Sequence, residues 1–83
     1  MTLDELKAQA KEVAILNGKR VINNTFPDID RDALYLGVYP QEVFNAVKSY
    51  AITIFTAVQV KKAEIDSKQT QEELDLIDLE ITI

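Results

Sequence analysis

Asp28, Asp30 and Asp32 alternate through Asp28-Ile29-Asp30-Arg31-Asp32, a spacing that superficially matches the opening of an oxygen-ligated calcium loop. The match then breaks. Ala33 stands sixth, where the sharp turn of such a loop needs glycine, and Tyr39 stands twelfth, where a bidentate glutamate is required. The expected roles of these carboxylates are helix capping, surface ion pairing and solvated charge, with no metal and no other cofactor. Asp28 with Asp32, or Glu72 with Asp75, also has the residue types for general acid–base work, in which one carboxyl of a close pair keeps its proton. Such chemistry needs a nucleophile or a binding loop beside it. The chain has no cysteine, no histidine and only two glycines, which leaves no thiolate, no imidazole and no phosphate-cradling loop. The expectation is a non-enzymatic protein without catalytic residues, a carboxylate-dependent enzyme being the remote alternative.

Composition narrows the partners. Fourteen acidic residues against nine basic ones give a formal charge of −5, which opposes direct binding to a phosphate backbone. The same charge admits an acidic inhibitor that mimics nucleic acid in a basic protein groove. Hydrophobic residues make up 47% of the chain, too many for an acidic disordered tail. No basic start followed by an apolar run marks a secretory signal, and no segment approaches the roughly 20 apolar residues of a membrane span. The expected location is cytoplasmic or otherwise intracellular, without membrane contact. Asn23-Asn24-Thr25 fits a glycosylation acceptor, and with no secretory signal it is expected to be a turn.

The elements that must position these groups follow from caps and periodicity. Thr2 and Glu5 form a capping box for a first helix carrying Leu3, Leu6, Ala10, Val13 and Ala14 on one stripe. Asn17-Gly18 followed by Lys19 and Arg20 predicts its end, with Gly18 at positive φ. Lys19 to Pro27 is expected to connect. A short helix starting at Asp28 or Asp30 carries Ile29, Ala33 and Leu36 and stops at Gly37. From Pro40 a long helix presents Phe44, Val47, Tyr50, Ala51, Ile54, Phe55, Ala57 and Val58 over about half its circumference, ending near Ser67-Lys68-Gln69. That arc is wide enough to meet neighbours on two sides. Thr70 to Glu73 is a second capping box, which favours a further helix bearing Leu74, Ile77 and Ile81. Ile77, Leu79, Ile81 and Ile83 alternate with polar residues, and this pattern predicts a strand from Ile77 onward.

The expected fold is a compact, mainly α-helical domain over residues 1–83, with two principal helices, a short intervening helix and a C-terminal β edge segment. Its expected function is protein–protein interaction or homo-oligomeric assembly. Tyr35, Tyr39, Tyr50, Ile54 and Ala57 are the candidate contacts of the helical part, because aromatic and apolar faces anchor interfaces. Ile77 and Leu79 are candidates for docking by strand addition. Leu76-Ile77-Asp78-Leu79-Glu80 resembles a SUMO-interacting segment, which implies docking of that kind. Leu3-Asp4-Glu5-Leu6-Lys7, with Pro40-Gln41-Glu42-Val43 and Ala46-Val47, resembles small phage head-tail connector proteins, which implies a role in virion assembly.

Overall fold

In a computed structural model, which describes residues 1–81, the chain forms α1 (Leu3–Thr25), α2 (Arg31–Tyr35), α3 (Gln41–Ser67) and α4 (Gln71–Asp75). The two long helices pack antiparallel: Lys11 near the start of α1 reaches Asp66 near the end of α3, and Thr25 at the end of α1 meets Tyr50 in the first half of α3. Residues 82 and 83, including the last member of the alternating pattern, lie outside the described residues.

Local chemistry fixes most element ends. At the start of α1, Glu5 N donates to Thr2 Oγ1 at 3.2 Å while Thr2 N donates to Glu5 Oε1 at 3.4 Å, completing the capping box. Asp30 caps α2, its Oδ1 accepting from Asp32 N and Ala33 N at 2.9 and 3.2 Å. Gly37 then turns the chain at φ +77°, a conformation that glycine adopts without a Cβ penalty. Pro40 precedes the first residue of α3, where its missing N–H costs no helical hydrogen bond. Thr70 caps α4, its Oγ1 accepting from Glu73 N at 3.1 Å, while the Glu73 carboxylate accepts from Gln69 N at 3.0 Å rather than from Thr70 N, so the expected box forms only its Thr70 half.

The structure corrects the sequence reading at three places. First, α1 does not stop at Gly18. It runs on to Thr25, so Asn23-Asn24-Thr25 is its last turn rather than a loop. Gly18 is buried and helical, because a Cβ there would stand 2.6 Å from Val58 Cγ2 and 3.4 Å from Ile54 Cγ2. Ala14, Gly18 and Ile22, one turn apart, form the stripe that meets α3. Second, there is no β edge: no strand occurs among the described residues. From Ile77 to Ile81 the chain lies along the helices as a strap, tied where Asn17 Nδ2 donates to Leu79 O at 2.9 Å. Its alternation is real, with Ile77, Leu79 and Ile81 turned inward and Asp78 and Glu80 exposed. The inward side meets helices, which offer no free backbone ladder to pair with. Third, by length and composition alone α3 is long and apolar enough to cross a membrane, contrary to the expectation that no segment would be. The same properties suit the central helix of a two-helix hairpin.

The core is thin. Ala14, Ile22, Ile54, Val58 and Ile65 are fully buried between the long helices, with Leu74 from α4 and Ile81 from the strap closing the cluster. The molecule measures 48 × 21 × 16 Å, and its radius of gyration of 15.5 Å exceeds the roughly 12 Å of a spherical domain this size.

Candidate functional site

A groove between α2 and the first half of α3 forms an apolar concavity with a volume of about 310 Å³. It exists because α2 is too short to cover α3. Five residues long, α2 buries only Leu34 and leaves the apolar positions of α3 beyond it uncovered. Leu34 and Tyr35 form one wall, and Phe44, Val47, Ala51, Ile52 and Phe55 form the floor and the other wall. Tyr35 is 82% exposed and Ile52 is 56% exposed, so both stand at the rim. Leu36 and Val38 extend the apolar surface past Tyr35 into the turn at Gly37.

Arg31 and Lys48 also line the groove. Neither takes part in an ion pair among the described residues, and the Arg31 guanidinium instead donates to the neutral Asn23 Oδ1 at 2.6 Å. An acidic protein thus places two uncompensated cations at its apolar groove, where they favour an anionic neighbour.

The chain matches no family model, no curated protein and no solved structure with which it was compared. What the groove does has to be argued from its own residues.

The seven candidate contacts fall into different environments. Tyr35 sits at the groove rim. Tyr39 is half-buried, its hydroxyl accepting from Asp30 N at 3.1 Å, and so braces the turn that carries α2. Tyr50 packs edge-on against Phe26, ring centres 5.5 Å apart, and its hydroxyl is hydrogen-bonded to that of Thr25 at 3.0 Å. Ile54 is fully buried in the core, and Ala57 lies half-buried against it. Ile77 and Leu79 are half-buried on the inward side of the strap. The structure therefore brings only Tyr35 of these seven into the groove. Sequence reasoning passed over Ile52, Leu36 and Val38, although their signal was present: apolar residues beside the core arc of α3 and around a turn glycine. Leu76, 87% exposed at the end of α4, entered the sequence reading only as the first residue of the segment that resembles a SUMO-interacting one.

The carboxylates that suggested chemistry all stand exposed at the surface. Asp30 is occupied as the cap of α2, and no group of three acidic side chains is placed to hold a metal ion among the described residues. Asp66 is held below the usual carboxylate value chiefly by the hydrogen bond from Lys11, at 2.8 Å, with Lys7 and Lys62 adding weaker attraction. Lys7 also donates to Asp66 O at 3.1 Å. These contacts tie the start of α1 to the end of α3, a structural task.

Proposed function

We propose that this protein is a non-enzymatic assembly module that associates with copies of itself. The observation that carries this reading is surface in excess of what a single chain needs. The accessible area is 5848 Å², whereas a folded monomer of 9.4 kDa exposes about 5000 Å². The difference of about 850 Å² is close to the roughly 800 Å² that each partner contributes to a standard interface. Large apolar side chains are exposed there: Tyr35, Ile52 and Phe55 line the groove, and Leu36 and Val38 follow Tyr35 in the chain. A patch of this kind on a small protein marks a contact surface.

Molar mass measured by sedimentation over a wide concentration series tests the proposal. Association is expected to grow with concentration, by mass action. A folded monomer at every concentration would refute it.

A further inference from the structure

Given self-association, we infer that copies join head to tail, the acidic Leu76 knob of one chain entering the apolar groove that Arg31 and Lys48 border on the next. The inference rests on the assembly reading above. It starts from two features that fit each other and cannot meet within one chain. Leu76 stands out from the end of α4, and Glu72 one turn before it and Asp75 beside it are both exposed. The groove offers the complement: an apolar floor of Phe44, Val47 and Ala51, with Arg31 and Lys48 unpaired at its sides.

Geometry keeps them apart in the monomer. The groove lies beside the N-terminal half of α3, whereas α4 begins at Gln71, four residues after Ser67, at the other end of that helix. Seventeen residues of α3 separate Lys48 from Ile65, a rise of about 25 Å. The chain cannot swing Leu76 across that distance while the next residues are held down by the Asn17 bond to Leu79 O and by burial of Ile81. A second copy has no such restraint. Because knob and groove are different surfaces, their contact is heterologous, and it propagates into a ring or an open chain rather than stopping at a two-fold dimer.

Two surface variants and their mixture test this. Leu76→Glu removes the knob and leaves the groove; Lys48→Glu combined with Ile52→Glu spoils the groove and leaves the knob. All three positions are exposed, and circular dichroism verifies that each variant is folded. Native protein is expected to grow beyond a dimer with concentration, and each variant to lose association by about tenfold or more. Mixed one to one, the variants should recover a dimer that grows no further, since one intact groove meets one intact knob and the remaining faces are dead. If the native chain associates but the mixture stays monomeric, or either variant associates like the native chain, the knob-and-groove contact is wrong while self-association stands. A native chain that never associates removes both. Should Ile52→Glu unfold the protein, Lys48→Glu alone, mixed with Asp75→Lys, gives the same discrimination: each single reversal sets like charges at its own junctions and weakens association, whereas in the mixture both kinds of junction carry opposite charges, so growth returns only if those two surfaces meet.

Discussion

Replacing Gly18 with alanine sets two effects of known size against each other. In a helix interior, alanine is better than glycine by about 0.8–1.0 kcal/mol, so helix propensity alone predicts a more stable protein. Packing predicts the reverse. The added Cβ would lie 2.6 Å from Val58 Cγ2, whereas carbon atoms rest at about 3.5–4.0 Å. Val58 is almost fully buried and, being β-branched, has little rotamer freedom with which to retreat. Overpacking of this kind costs about 1–3 kcal/mol. The net expectation for Gly18→Ala is a loss of about 1 kcal/mol of unfolding free energy, or about 4–8 °C in melting temperature for a domain this size. Chemical denaturation at matched low protein concentration is the assay, so that association does not contribute. The decisive comparison adds Val58→Ala. In that background the clash is gone, and Gly18→Ala should stabilise by nearly its full helical gain, giving a coupling of about 2 kcal/mol between the two sites. A stabilised single variant, or the same sign in both backgrounds, would show that α3 does not approach Gly18 as described.

Asp66→Asn addresses the tie between the ends of the long helices. Because Lys11 depresses the folded-state pKa of Asp66 below 3.8, its contribution is present above the unfolded-state value and is lost as pH falls through the folded-state value. The variant should show a shallower loss of stability under acid, below about pH 4, and an unchanged acid limb in a pH series of urea melts would contradict the assignment. Ile81→Ala removes the buried anchor of the strap; at about 2 kcal/mol, the low end of the range for a buried isoleucine, it should lower the denaturation midpoint, because an irregular segment can partly collapse into the space left. A midpoint within error of the native value would mean the strap does not close the core in solution.

Capping chemistry was the most legible part of this fold. Thr2 with Glu5, Asp30, Gly37, Pro40 and Thr70 all act where the sequence places them, because a cap depends on a few adjacent residues and their backbone. Gly18 misled for a physical reason. Asn-Gly followed by two cations satisfies the local rules for a helix end, but the close approach of α3 makes a missing Cβ useful inside the helix. The small residues Ala10, Ala14 and Gly18, spaced one turn apart, were the available signal of that approach. Alternation in the tail correctly implied one apolar side and one polar side. It could not reveal whether that side faces a sheet or helices, since period two reports extended backbone and not its hydrogen-bond partner. The wide arc of α3 implied two neighbours; α1 packs along one side of it, and Arg31, Leu34 and Tyr35 of α2 line a groove beside the rest. That α2 would be too short to cover its share, and so leave a groove, depended on tertiary placement that no local pattern encodes.

The strap also bears on how the protein is made. Two of the core residues, Leu74 and Ile81, lie after the end of α3, so the crevice over Gly18 stays open until the fourteen residues from Lys68 to Ile81 have been synthesised. At roughly 5–20 residues per second, that stretch takes about 1–3 s. Helices equilibrate in about a microsecond. Helix formation is therefore far faster than the delivery of Leu74 and Ile81, which close the seam between α1 and α3 only after those helices can exist.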